Sequence, residues 1–243
     1  MVDLSKRLEA IAHLIQHDSC IADVGCDHGY ISIWLILNEI ANHVIAMDIK
    51  PGPLEIADKN VTLYGLKEKI ELRLSDGLRK LAAREADGAV IAGMGGSLMV
   101  KIIQQDRDKL VTMKQLILQP QSEVQLVRRY LREIGWTIDQ EDMVVEDGKY
   151  YPMFHAIPGA DEELSNQAQQ ILFDYYGRQT LVEQHPVVKE FLQKELGIVE
   201  TVIKKLDVQR RADYTMNAER KQIRLEELHN RKAPIAAALE YYS

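Results

Sequence analysis

Up to about residue 157 the chain alternates short apolar runs with amphipathic stretches, the rhythm of strands separated by helices. "CIADVG" (20–25) is expected as a buried strand and "YISIWLILNE" (30–39) as the helix after it. "HVIAMDI" (43–49) is the next strand, followed by a helix over "GPLEIADKNVTLYGL" (52–66), with Pro53 near its start where a missing N–H costs little. "IELRLSDG" (70–77), "GAVIAGMGG" (88–96) and "KQLILQP" (114–120) read as three further strands, with helices between them at 77–84 and 97–105. "SEVQLVRRYLREIG" (122–135) predicts another helix, with Ser122 as its N-cap and Gly135 as its stop. Strands joined through helices imply right-handed crossovers and a parallel sheet.

The rhythm then changes. "WTIDQEDMVVEDGKYYPMFHAI" (136–157) holds two β-rich runs joined through Asp147-Gly148, a hairpin signal. A hairpin forces its strands antiparallel, so the sheet is expected to end with one reversed strand. "PGADEE" (158–163) reads as a linker, and beyond it the pattern is helical. "ELSNQAQQILFDYYG" puts Leu164, Ala168, Ile171 and Tyr175 on one face. Val188, Leu192, Leu196, Val199, Ile203 and Leu206 follow at coiled-coil spacing. "RADYTMN" (211–217) offers a turn before "AERKQIRLEELHNRK" (218–232), so a helical hairpin is expected, closing within one chain or between two. The resulting division is 1–159 for the α/β domain and 160–243 for the helical one.

Composition narrows the choices only slightly. Hydrophobic residues at 46% and charged residues at 28% suit a globular chain with a real core. No apolar run reaches the roughly 18 residues of a membrane span, and "MVDLSKRLEAIAHLIQ" lacks the unbroken apolar stretch of a signal peptide. Two cysteines, Cys20 and Cys26, are too few for a disulfide framework, and a cytoplasmic location is expected. The net charge of -7 offers no global attraction to nucleic acid, so a polyanion would have to be gripped locally. Basic clusters lie at "RRYLR" (128–132), "KKLDVQRR" (204–211) and "ERKQIR" (219–224), and each alone suits a solvated helix face. Lys204 and Arg211, seven apart on one face near the hairpin tip, could track phosphates of a structured RNA.

The densest chemistry lies in "IADVGCDHGYISIWL" (21–35). Gly25 and Gly29 sit where a strand turns into a helix, permitting positive φ and close backbone approach of a ligand to free helix N–H groups. Asp48 follows Gly29 by nineteen residues at a strand end, where a carboxylate can accept from ribose hydroxyls of an adenosine cofactor. The dinucleotide fingerprint G-x-G-x-x-G is not met, because the loop reads Gly25-Cys26-Asp27-His28-Gly29. Asp23 and Asp27 would repel a pyrophosphate but suit a ligand bearing an ammonium and a sulfonium. S-adenosylmethionine carries both.

"DVGCDHG" resembles the D/E-x-G-x-G-x-G motif of class I S-adenosylmethionine-dependent methyltransferases, with Asp27 in place of the middle glycine. More narrowly, "DVGCDHGYI", "AGMGG", "LQPQ" and the helical tail look like the bacterial tRNA (adenine-N1)-methyltransferase family acting on position 22 in the D-arm. The resemblance covers essentially the whole chain and implies a Rossmann-like sheet, mostly parallel with one antiparallel strand. It also implies S-adenosyl-L-methionine as cofactor and tRNA as partner, with no membrane, metal or protein partner indicated. By family pattern the loop of Gly25, Cys26, Asp27, His28 and Gly29 holds the methionyl part, with Asp23 beneath it. Asp48 and Ile49 hold the ribose and adenine, Asp76 and Gly77 contact the adenine amino edge, and "GMGG" (93–96) occupies the place where related enzymes present the target base, with Gly93 and Met94 also counted among the cofactor-binding residues.

Other readings of the same residues stay open. A metal site on Cys26 and His28 lacks further ligands, the other histidines being scattered. A nucleophilic Cys26 would need a base, which His28 could supply. His28 suits a pocket wall and a backbone hydrogen bond equally. The glycines of "AGMGGSLM" form either a flat wall for the target adenine or a tight strand–helix turn. Gln119 and Gln121 could read a base edge or cap the helix after them. Adenine N1 has an in-plane lone pair and needs alignment rather than a strong base, and an extruded base is expected. Asp27 or Gln119 could accept from its N6 amino group and offset the developing ring charge. Alternatives are a methyltransferase of another RNA or a small molecule, or a non-catalytic module docking a protein through its coiled coil.

Overall fold

The structure is a computed structural model that describes residues 2–160, 166–212 and 218–243. Seven strands form one sheet: β1 (Asp18–Val24), β2 (Ala41–Asp48), β3 (Ile70–Leu74), β4 (Gly88–Gly95), β5 (Gln115–Ser122), β6 (Trp136–Glu146) and β7 (Lys149–Pro158). Their order is β3-β2-β1-β4-β5-β7-β6. The first five pair in parallel, and β7 runs antiparallel to both β5 and β6. Asp147 and Gly148 turn the hairpin with φ of 49° and 71°, the two left-handed residues that a tight two-residue turn requires.

Helices α1 (Lys6–Leu14), α2 (Tyr30–Leu37), α3 (Pro51–Leu63), α4 (Gly96–Gln105), the single turn α5 (Arg107–Leu110) and α6 (Val124–Glu133) complete the first unit. Alternate residues of the central strands feed two apolar clusters: Ala22, Val24, Ile91 and Leu118 enter one, and Ile21, Val90 and Ile117 the other. Chain order reverses between β1 and β4, so their connections leave in opposite directions and open a crevice at the carboxyl ends of those strands. Among the described residues no helix is long and apolar enough to cross a membrane.

Three local expectations are corrected. Residues 77–84 form turns rather than a helix. Ser75 Oγ accepts the Lys80 N–H at 3.1 Å and donates to the Gly77 carbonyl at 2.8 Å, which diverts backbone groups a helix would use. Ser122 is the last residue of β5, not a cap. Glu123, at φ 52°, precedes α6, and its carboxylate accepts from Ser97 Oγ at 2.5 Å.

The second unit, 164–243, is helical: α7 (Gln167–Tyr176), α8 (Arg178–Val182), α9 (Pro186–Ala212) and α10 (Ala218–Leu239). Of the expected α9 seam Val188, Leu192, Val199 and Ile203 are buried and Leu196 and Leu206 half-buried, and α9 packs on α10, where Leu225, Leu228, Ile235 and Ala238 are buried. Arg231–Glu195 and Lys232–Glu200 ion pairs flank it, so the hairpin closes within the chain. The turn expected at 211–217 lies largely outside the described residues, as do Leu164 and the Arg211 side chain. The third correction concerns α7: it buries Phe173 and Tyr176, while Ile171 and Tyr175 are exposed. Phe173 packs edge-on to Tyr241, whose hydroxyl accepts from Gln169 Nε2, so the distant chain end selects the face.

The turn entering α4 is packed against the turn entering α6. A Cβ on Gly96 would stand 2.5 Å from the Glu123 carbonyl oxygen and 2.7 Å from that of Ser122. Backbone cannot yield as a flexible side chain can. Gly96→Ala is therefore expected to destabilise the protein by about 1–3 kcal/mol in urea unfolding. Gly52→Ala, in α3 with open space at its Cβ position, should be neutral or stabilising by up to about 1 kcal/mol.

Candidate active site

The loop after β1 is built from three left-handed residues. Gly25 and Gly29 both have φ 74°, and Asp27 between them has φ 50°, a conformation that Asp tolerates better than most side chains. The loop is tied down by the N–H groups of Gly25 and Cys26, which both donate to the Met47 carbonyl at 2.8 and 2.9 Å. Gly29 N–H donates to the Cys26 carbonyl at 2.7 Å, and Asn60 Nδ2 donates to the His28 carbonyl at 2.9 Å. A Cβ on Gly25 would stand 2.5 Å from Met94 Cε, a contact the flexible methionine could relieve, so it is the left-handed backbone that favours glycine here.

This loop walls a cavity of about 260 Å³ in the crevice between β1 and β4. Asp23, Gly25, Cys26, Asp27 and His28 line one side, and Ala92, Gly93 and Gln121 line the strand ends opposite. Arg7 and Leu8 of α1 and Tyr30 and Ile31 of α2 complete it. Asp48, Ile49, Asp76 and Gly77 lie outside this lining, at or just beyond the carboxyl ends of the neighbouring strands β2 and β3. Asp48 is half-buried and accepts the Lys50 N–H at 2.9 Å, while Ile49 is exposed. Asp76 is exposed and pairs with Arg79 at 3.1 Å, and Gly77 packs under Ile102 at φ 63°.

Asp23 is buried, and Ser32 Oγ donates to its carboxylate at 2.6 Å. Burial raises its pKa to about 6, with the Asp48 and Asp27 carboxylates adding to the rise and the Ser32 hydrogen bond opposing it. Cys26 is also buried. Burial, then Asp23, Asp48 and Asp27, push its thiol far above the ordinary range, so it is no thiolate nucleophile. His28 lies 3.4 Å from the exposed Asp27 carboxylate and edge-on to Tyr30. Among the described residues, no three His, Cys, Asp or Glu side chains group as a metal site would require.

The glycines of "AGMGG" divide between the two roles open to them. Gly93, at φ 77°, faces the cavity, whereas Gly95 and Gly96 carry the packing of turn on turn. Gln119 lies behind this wall at 0% exposure, with both ends of its amide engaged. Its Oε1 accepts from the Gly93 N–H and from Arg7 Nη1, each at 3.1 Å, and its Nε2 donates to the Pro120 carbonyl at 3.2 Å. Gln119 therefore joins Arg7 to the Gly93 backbone at the pocket's wall. Of the basic clusters, Arg128 is buried in an ion pair with Glu141 at 2.9 Å, so it is no solvated cation. Sequence reasoning missed Arg7, Leu8, Tyr30 and Ile31. Tyr30 and Ile31 adjoin the loop and were within reach of inspection, but Arg7 sits in an ordinary amphipathic helix with nothing local to mark it.

A glycine-turned loop at the switch point of this sheet, lined with carboxylates, defines a Rossmann-like methyltransferase. The family described as "Methyltransferase domain" matches residues 4–154. A curated tRNA (adenine(22)-N(1))-methyltransferase of Bacillus subtilis is 38% identical over 156 residues, which span 64% of this chain and 66% of that protein. The solved structure of the B. subtilis m1A22 tRNA methyltransferase TrmK is 30% identical, with a TM-score of 0.81 over 98% of this chain and 100% of that one. Streptococcus pneumoniae Sp1610, solved in complex with S-adenosyl-L-methionine, is 28% identical, with a TM-score of 0.83 over 98% and 100%. The chain belongs to the tRNA (adenine(22)-N1)-methyltransferase family.

Asp23 yields a test of the pocket's electrostatics. Its folded pKa of about 6 exceeds the unfolded value of about 3.9. The native state therefore keeps a proton that the unfolded chain loses, and ionisation costs stability as pH rises from about 4 to 6. Asp23→Asn cannot ionise. It should gain stability relative to the parent across pH 4–7, reaching a plateau of about 2–3 kcal/mol in urea unfolding at matched pH.

Proposed function

We propose that the protein transfers a methyl group from S-adenosyl-L-methionine to N1 of adenine 22 in tRNA. The observation that carries this reading is the left-handed Gly25–Gly29 loop with Asp23 and Asp27 at one cavity, in a chain similar over nearly its whole length to a tRNA m1A22 methyltransferase. The residues suit the cofactor: two carboxylates beside a tight backbone turn can receive an ammonium and a sulfonium, where a pyrophosphate would be repelled. The Gly25–Gly29 loop and Asp23 would hold its methionyl part, Asp48 and Ile49 its ribose and adenine, and Asp76 with Gly77 its adenine amino edge. When bound, the cofactor supplies an electrophilic methyl group.

The chain's own contribution is position and charge. Adenine N1 is unprotonated at neutral pH, so no strong base is required, and alignment can lower the barrier by several kcal/mol. Gly93 and Met94 give a wall poor in large polar groups for an extruded base. Asp27, exposed at the cavity mouth, can accept from the N6 amino group and offset the positive charge that develops on the ring. Residues 1–159 would carry cofactor and chemistry, and 160–243 would grip the tRNA. A tRNA substrate implies residence in the cytoplasm.

Incubating the protein with labelled cofactor and unmodified bacterial tRNA, followed by nucleoside analysis, should yield 1-methyladenosine. Label in another nucleoside, or in none, would overturn the reading. A chain ending at Gly159 keeps every strand and the glycine loop. It should bind the cofactor in calorimetry but lose most tRNA affinity, and the full chain's tRNA binding should weaken steeply with salt. Equal methylation by the shortened chain would remove the helical unit from RNA recognition and favour its use as a protein-docking coiled coil.

A further inference from the structure

The cavity lined by Asp23 and Asp27 also contains one cation, Arg7, and its fixation is unusual. Ser5 caps α1 by accepting the Leu8 N–H, and Glu146 at the end of β6 accepts the Arg7 backbone N–H at 3.2 Å, which fixes the first turn of the helix. The guanidinium then lies over the Tyr151 ring at 5.6 Å and donates through Nη1 to Gln119 Oε1. Gln119 is fully buried and shares that oxygen with the Gly93 N–H, so the cation is locked to the pocket wall. Every one of these partners is neutral or is spent on backbone. Among the described residues, no carboxylate pairs with the Arg7 guanidinium.

A half-buried guanidinium held by an amide and a ring leaves most of its five donors to whatever enters the cavity. A purely structural arginine in so acidic a neighbourhood would be expected on a carboxylate. The adenine ring is no partner for it, since methylation makes that ring cationic. The complementary group is an oxyanion, and the two oxyanions of the proposed reactants are the carboxylate of the methionyl tail and a phosphodiester of the tRNA.

We propose that Arg7, held in place by Gln119 and Tyr151, forms an oxyanion subsite of the candidate active site. This rests on the methyltransferase reading. A charge-assisted bond of this kind is worth about ten- to a hundred-fold in affinity.

The test compares full-length wild type, Arg7→Met and Arg7→Lys in calorimetry with S-adenosylmethionine and with its decarboxylated analogue, and measures tRNA affinity alongside. Arg7→Met should lose about ten- to a hundred-fold for one oxyanion-bearing ligand, and Arg7→Lys should recover part of that loss. A loss for S-adenosylmethionine but not for the decarboxylated analogue identifies the carboxylate. A loss confined to tRNA identifies the phosphodiester. Unchanged affinities throughout, or equal losses for the cofactor with and without its carboxylate, would overturn the subsite. Wild type that binds neither cofactor nor tRNA would instead overturn the underlying function and the subsite with it.

Discussion

Everything about the site depends on one carbonyl. The Met47 oxygen at the end of β2 receives the N–H groups of both Gly25 and Cys26, so the chain leaving β1 bends back towards β2 before it can enter α2. The bend requires left-handed backbone at Gly25, Asp27 and Gly29. It leaves the start of α2 and the side chains of Asp23 and Asp27 at the crevice that the reversed strand order opens beside β4. Asp27 takes a position where the broader class has glycine, yet it keeps the backbone conformation. A carboxylate is thereby gained at the cavity mouth at a modest conformational cost.

The pocket is electrically uneven in a purposeful way. Asp23 is kept out of water with a single hydroxyl donor, so its ionisation is costly until a cation arrives. Asp27 is solvated and available. Arg7 stands opposite, tied to a neutral amide rather than to either carboxylate. An arrangement that keeps opposite charges apart within one cavity is suited to a zwitterionic ligand such as an amino-acid moiety. Gln119 unites the parts, because one oxygen fastens both the cation from α1 and the backbone of β4.

The helical unit follows a simpler logic. A periodic seam on α9 needs an apolar partner, and α10 supplies it within the same chain, with ion pairs along the edge. The antiparallel return makes a helical hairpin from one continuous segment. Lys204 and Lys205 stay exposed and take no part in the buried seam.

Strand–helix alternation, the terminal hairpin and the glycine loop were legible in the residues alone, because each rests on local rules of period, turn chemistry and backbone freedom. Asp147-Gly148 is a turn wherever it occurs between two β-rich runs, and the α9 seam can be read from spacing alone. The charge of Asp23 and Asp27 likewise pointed to a cationic ligand without any coordinates. Tertiary structure decided what depends on residues far apart in the chain. Arg7 is held at the cavity because Glu146, Tyr151 and Gln119 converge on it, and no local pattern announces that Gln119 is buried there. The face of α7 was chosen with Tyr241, some seventy residues beyond its start, which meets Phe173 and Gln169. Gly95 and Gly96 serve the contact between two turns that no local pattern relates. Periodicity specifies which residues seek burial, but only the assembled fold specifies against what.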